Sequence, residues 1–515
     1  MSIAKTYAVS LIGLRGELIE VEADIASNLP SFVLVGLPDA SLSEATARVR
    51  SACQNSGMSL PARKITVNLS PASTPKYGSS FDLAIAVAIL VASGQLNRGA
   101  VESCLFIGEL GLDGSIRPVN GVLPAALAAA TKGFRRIVVP ASKYDEAALA
   151  EGIEVLPLSN LRELVQVLSG TTRVSIPKGT GEGGLVAENT KDLADVLGQP
   201  EAVNALIVAA AGGHHISLIG SPGSGKTMLA ERLVTILPDL PPSQAIEVAA
   251  IHSLVGLGEY SSSNFSLRPS FQAPHHSASL ASVIGGGSGL PKPGAVSLAH
   301  RGVLFLDELL EFQNNVIQSL REPLESRSIT ISRTAGQAVF PAGFQLVVAA
   351  NPCPCGNFGV AKLVCQCTPV ARQRYATKLS GPIFDRIDIR LRVQPVTKLY
   401  AQMHSDLLGT TSSAEALARV TSARTAAGER LKSTRFETNS QVTASYLRTK
   451  LKLAAATTKD LTRALELNRI SMRGFDRCLR LAWTLADLDG STSPTSDHIA
   501  LSLNLRSPDV AVASA

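Results

Sequence analysis

At 515 residues the chain is too long to bury a single core and reads as two to four domains. Hydrophobic residues make up 45% and charged residues 17%, which excludes a disordered chain, and the longest apolar run, residues 83–92, is too short to cross a bilayer. The formal net charge of +6 is modest but uneven: residues 371–392 hold six basic and two acidic side chains, a local basicity that suits a phosphate-backbone partner or, more simply, a nucleotide site or a solvated face.

Soon after Met1 come Glu17, Glu20, Glu22 and Asp24, so no signal or basic transit peptide is expected there, and the predicted address is the cytoplasm with no membrane partner. Seven cysteines, an odd count, argue against a secreted disulfide framework. Segments 7–14, 65–69, 105–107 and 136–139 read as strands, and 41–56 and 81–92 as helices. Residues 170–191 turn polar and rich in Gly and Thr, the composition of a linker. The predicted divisions are a first domain at 1–170, a linker at 171–191 and a second domain at 192–395.

The apolar run with Ile216, Leu218 and Ile219 leads into Gly220, Ser221, Pro222, Gly223, Ser224, Gly225, Lys226 and Thr227, and then into a helix-like stretch from Met228. Strand, glycine loop and helix is the order a phosphate cradle needs. Glycines let backbone N–H groups face anionic oxygens, Lys226 neutralises the outer phosphates and Thr227 holds magnesium, so ATP with Mg2+ is the expected ligand. An insert at 268–299 follows; its adjacent His275 and His276 make poor ligands for one ion and read as loop structure or polar lining. Four apolar residues then end in Asp307 and Glu308, a buried parallel strand delivering one carboxylate to hold magnesium and another to orient water. The stretch from Arg327 to Arg333 alternates as a strand, and 345–350 form another that delivers Asn351, a sensor of the terminal phosphate, to the same sheet edge.

Cys353 and Cys355, then Cys365 and Cys367, form two pairs that read as a structural Zn2+ site or as reduced thiols, with the spacing favouring zinc. Cys53, Cys104 and Cys478 stand alone and read as core fillers. Segments 415–431, 458–468 and 473–487 carry apolar residues at helical spacing, giving a helical lid at 396–506 and a frayed tail at 507–515.

Taken in order, these features resemble the AAA+ ATPases, and more narrowly the ComM/YifB family of their magnesium-chelatase-like branch. The likeness covers nearly the whole chain and is carried by Ala210-Ala-Gly-Gly-His-His215, Ala273-Pro-His-His-Ser-Ala-Ser279, Ala349-Ala-Asn-Pro-Cys-Pro-Cys-Gly356, the run from Leu379 to Asp388, and Ser471-Met-Arg-Gly-Phe475. It implies an α/β fold: a Lon-protease-like α+β first domain, an AAA+ phosphate-loop core with a parallel sheet, and a C-terminal helical lid. It implies further that Arg386 is an arginine finger reaching a neighbour's site and Arg473 a second sensor on the lid; Arg386 paired with Asp385 or Asp388 is the plain alternative. It also implies a homo-oligomer, a hexameric ring, with the 268–299 insert forming a hairpin near its pore. The segment from Arg327 to Arg333 resembles a hairpin whose basic tip touches DNA phosphate, or is an ordinary exposed hairpin. The implied activity is ATP hydrolysis driving a DNA motor, a helicase of branch migration during natural transformation; a metal-insertion ATPase and an unfoldase are the rivals. In the Lon-like domain Ser80 matches the nucleophile position, but the partner lysine position falls on Leu123, which takes no proton, so no peptidase activity is expected.

Overall fold

The computed structural model describes residues 3–36, 39–76, 78–176, 191–257, 265–287, 289–333, 336–359, 364–379, 381, 383–396 and 410–507. Most of the expected linker, the tail past Ser507 and the first residues of the expected lid lie outside the described residues.

The chain opens with an antiparallel hairpin of β1 (Ala4–Ile12) and β2 (Arg15–Ala26). In β2 alternate side chains, Ile19, Val21 and Ala23, are buried while Glu20 and Glu22 face outward, the period-two pattern of a strand with one wet face. There follow β3 (Ser31–Val35), β4 (Lys64–Ser70), β5 (Cys104–Phe106), the small ribbon of β6 (Glu109–Leu110) and β7 (Ile116–Arg117), β8 (Arg136–Pro140) and β9 (Glu154–Leu158). Seven of these make one mixed sheet in the order β3-β4-β2-β1-β5-β8-β9. Helices α1 (Asp39–Asn55), α2 (Asp82–Ala92), α3 (Arg98–Val101), α4 (Val122–Thr131), α5 (Tyr144–Ala147) and α6 (Leu161–Leu168) accompany it. The apolar run of α2 is buried all round, which is why it reads as hydrophobic without spanning anything. Its one charge, Asp82, is buried and paired with Arg48 of α1 at 2.6 Å.

The second sheet is parallel, in the order β11-β14-β17-β10-β18. Its strands are β10 (Ile216–Gly220), β11 (Phe271–Gln272), β14 (Val303–Leu306), β17 (Gln345–Ala350) and β18 (Ile389–Val393). Beside it stand two antiparallel hairpins, β12 (Gly285–Gly286) with β13 (Lys292–Pro293), and β15 (Ser328–Arg333) with β16 (Gly336–Pro341). All residues of β14 and β17 are buried, as strands covered on both faces require. The helices of this region are α7 (Pro200–Gly212), α8 (Lys226–Thr235), α9 (Pro242–Ser253), α10 (Leu280–Val283), α11 (Ala295–Leu298), α12 (Asn314–Ser319), α13 (Arg321–Ser326) and α14 (Pro369–Leu379).

The C-terminal region is helical: α15 (Ser413–Leu431), α16 (Ala444–Thr449), α17 (Lys459–Glu466), α18 (Met472–Leu488) and α19 (Ser496–Arg506). Ala416, Val420 and Ala423 of α15 and Leu481 of α18 share one apolar core with α7, α8 and the parallel sheet, so this region packs directly on the sheet domain. The first domain docks through α9: the Gly121 N–H donates to the Ser253 carbonyl at 3.0 Å, and buried Glu146 accepts from the Ser253 hydroxyl and from the Leu123 N–H at 3.2 Å. No helix among the described residues is long and apolar enough to cross a membrane.

Candidate active site

In a parallel sheet every strand ends on the same edge, and here β10, β17 and β14, neighbours in that order, bring the phosphate loop, Asn351 and the Asp307–Glu308 pair together. The loop folds this way because a side chain is excluded at its start: a Cβ on Gly220 would lie 2.4 Å from the Val393 carbonyl oxygen. Gly223 and Gly225 take left-handed φ of +74° and +90°, open to glycine at little cost. Gly225 caps α8 without a side chain, which leaves the first N–H groups of that helix to an anion. The buried Ser224 hydroxyl of this loop has no hydrogen-bond partner among the described residues.

Lys226 Nζ donates to the carbonyls of Gly220 and Ser221 at 2.8 and 2.9 Å and to Asn351 Oδ1 at 3.3 Å. Burial lowers its pKa, against the opposing pull of Asp307 and Glu308. The Thr227 hydroxyl donates to Asp307 Oδ2 at 2.9 Å, and Asp307 Oδ1 accepts the Glu308 N–H at 2.9 Å. The hydroxyl and carboxylate that would hold magnesium thus already meet, and the donor set fits a magnesium-bound nucleoside triphosphate.

Glu308 has a left-handed φ of +50°, and its Oε2 lies 3.2 Å from His276 Nδ1. The His276 ring packs on His275, centroids 4.1 Å apart, while His275 Nδ1 bonds the Ser277 hydroxyl at 2.8 Å. His276, read from sequence as loop lining, therefore touches the carboxylate expected to orient water. The signal that finds it is topological: β11 pairs with β14, so the residues following each strand fall side by side.

The two cysteine pairs meet. Cys353 Sγ lies 3.4 Å from Cys355 Sγ and 3.7 Å from Cys365 Sγ, Cys355 and Cys365 are 3.6 Å apart, and all four sulfurs fall within 4.8 Å of one another. Four sulfurs at about 2.3 Å from a zinc ion stand about 3.8 Å apart, so the set fits. The N–H groups of Cys355 and Phe358 point at Cys367 and Cys353 sulfurs, both at 3.3 Å, and the Asn357 N–H draws the Cys355 thiol down to about 6. Gly356 of this loop lies on Pro222 of the phosphate loop, where a Cβ would come within 2.5 Å. Cys53, Cys104 and Cys478 are buried, with burial pushing each thiol up to about 12.

Arg386 and Arg473 lie elsewhere. Both line a cleft at the opposite edge of the sheet, beside His215, Gly302 and Gln345, which precede or begin β10, β14 and β17. Among the described residues Arg386 pairs with Glu325, and buried Asp388 is taken by Arg477 and by His214, the latter at 3.3 Å. Despite its burial, the Arg477 charge and the hydrogen bond to His214 hold the Asp388 carboxyl well below the usual range. Arg327 stands at the foot of the β15–β16 hairpin and lines the same cleft, while Arg333 ends β15 next to the hairpin tip, its guanidinium over Gly286 of the β12–β13 hairpin.

In the first domain Leu123 is fully buried in an apolar cluster, and Lys76 Nζ is spent on the carbonyls of Pro71 and Thr74 at 2.6 and 3.1 Å. Ser79, not Ser80, bonds a carboxylate, that of Glu109.

The sequence matches three family models: magnesium chelatase, subunit ChlI, over residues 192–401; subunit ChlI of magnesium chelatase over 21–143; and the ChlI C-terminal region over 410–506. An uncharacterised protein of Mycobacterium tuberculosis is 46% identical over 506 residues, 98% of this chain and 99% of its own length. Competence protein ComM of Haemophilus influenzae is 39% identical over 509 residues, 98% of both chains. The uncharacterised protein YifB of Escherichia coli is 39% identical over 510 residues, 99% of this chain and 98% of its own.

Proposed function

The chain belongs to the ComM/YifB family of magnesium-chelatase-like AAA+ proteins, and from that premise we propose that it is an ATPase that assembles as a homo-oligomeric ring, a hexamer, and works as a DNA motor. The observation that carries the ATPase reading is the contact set Lys226–Asn351 and Thr227–Asp307 at one sheet edge, with Glu308 alongside. Bound magnesium would neutralise charge developing on the phosphates. Thr227 and Asp307 would hold it, Lys226 would draw the outer phosphates, Asn351 would sense the last of them, and Glu308 would orient the attacking water and accept its proton.

The ring reading rests on Arg386 and Arg473, which stand at the edge away from their own phosphate loop and so serve an adjoining copy's nucleotide, making hydrolysis conditional on assembly. DNA is the proposed track, read from the likeness to a competence protein, with the motion taken to be branch migration as incoming strands are integrated. Arg333, beside the hairpin tip, is the proposed phosphate contact. The four cysteines are proposed to hold a structural zinc, and the Lon-like first domain, without a proton acceptor at Leu123, to serve assembly rather than proteolysis. The proposed division of the chain is 1–170, a linker at 171–191, the ATPase core at 192–395 and the lid at 396–506, in the cytoplasm. The test is ATP turnover with and without single-stranded, forked and four-way DNA. Turnover that DNA accelerates and Lys226→Ala abolishes supports the motor; turnover indifferent to every DNA sinks it.

A further inference from the structure

The cleft at the far edge of the parallel sheet, closed by the helical region, has a volume of about 800 Å3, within the range that holds a ligand of nucleotide size. Eight arginines and four carboxylates line it, leaving four positive charges in excess. Five of the arginines are engaged by carboxylates or backbone carbonyls, among them Arg386 with Glu325 and Arg477 with Asp388. The guanidinium groups of Arg327, Arg435 and Arg473 make no hydrogen bond or ion pair among the described residues.

Arg327 is held in place by the backbone. It caps the C-terminal end of α13 with a left-handed φ of +59°, and its guanidinium lies beside Gly343, where a Cβ would come within 2.9 Å. Two residues earlier Glu325 holds Arg386, so one helix end sets both cations. Like charges gathered in a cleft repel, and planar guanidinium forks without partners suit the paired oxygens of a phosphate chain. The phosphates cannot be the chain's own. The phosphate loop lies at the other end of β10, whose five residues at about 3.3 Å each put about 16 Å between the two edges.

We propose that Arg327 and Arg435 are positioning residues for the terminal phosphates of the nucleotide held by the adjoining copy, flanking Arg386 and Arg473 in one cationic cradle. The assignment rests on the shared-site reading above and places Arg327 on nucleotide, not on DNA. The test uses full-length chains carrying two different tags, co-expressed and purified through both, so that every assembly is mixed. Arg327→Ala and Arg435→Ala each lower turnover at saturating ATP about tenfold or more, with Arg327→Lys in between. Lys226→Ala is inactive alone. Mixed with either arginine variant it restores turnover several-fold above both parents, because an intact phosphate loop then meets an intact cradle. Wild-type turnover in both single variants overturns the proposal. So does a lack of rescue while Arg386→Ala mixed with Lys226→Ala recovers, which means that the two residues act within their own copy. If the Arg386 pair also fails to recover, the shared-site reading falls and takes the proposal with it.

Discussion

Lys226 is partly desolvated between two carbonyls of its own loop and the Asn351 amide, so its charge is kept for an anion and not spent on a carboxylate. Removing it by Lys226→Ala is expected to abolish binding of a fluorescent ATP analogue. Glu308→Gln is expected to leave that binding within twofold or so and lower turnover about a hundredfold or more, the usual worth of a general base. The glycine loop from Gly220 to Thr227 was legible because backbone geometry restricts such a loop to Gly, Lys and Thr at fixed offsets. His276 was not, since its contact with Glu308 spans 32 positions and exists only because β11 and β14 are adjacent. His215 gives a prediction of a different kind. Burial lowers its pKa to about 4, and its Nδ1 accepts the Leu346 N–H at 3.0 Å, a bond that needs that nitrogen unprotonated. Between about pH 6.5 and 4 the unfolded chain takes up a proton the folded chain refuses, so stability is lost as pH drops through that window, by up to about 3 kcal/mol. Denaturant unfolding of His215→Gln, which keeps an acceptor, is expected to show a shallower slope there; an unchanged slope contradicts the assignment. Asp388, depressed below its ordinary value, adds its loss only at still lower pH.

At the scale of elements, the cysteine loop is braced on the phosphate loop through Gly356 and Pro222, so the metal proposed for it would stiffen the edge proposed to bind nucleotide. Purified protein is expected to carry about one zinc per chain by elemental analysis, and a Cys353→Ser, Cys367→Ser variant none; equal metal in both contradicts the site. Arg333 at the hairpin tip is expected to act through phosphate alone. Arg333→Ala should therefore weaken every DNA alike and reduce the slope of log affinity against log salt by about one. β14 and β17 were legible as short apolar runs because both of their faces are covered. β18 was not: as an edge strand of the sheet it alternates Arg390 and Arg392 with apolar residues, and its charges read only as a basic stretch. β2 was missed likewise, its glutamates seen as charge before they were seen as one wet face.

Over the whole molecule, one helix connects three regions. α9 receives the first domain at Ser253, while its Glu247 meets His300 at 3.1 Å and Arg301, which also pairs with Glu437 of the helical region. The order of regions was legible because each has its own pattern, alternation in the first sheet, continuous apolar runs in the second and a period near 3.6 in the C-terminal helices. Their docking was not, since Glu146 and Ser253 carry no pattern that marks them as partners. A single solution experiment bears most directly on the proposal of an ATPase whose work is done on branched DNA: four-way junctions with one labelled strand are incubated with the protein and ATP, and both product strands and released phosphate are followed. Junctions are expected to come apart only with hydrolysable ATP, the junction to speed hydrolysis, and Lys226→Ala and Glu308→Gln to stop both. Hydrolysis at the same rate with and without DNA, with junctions left intact, would contradict the proposal.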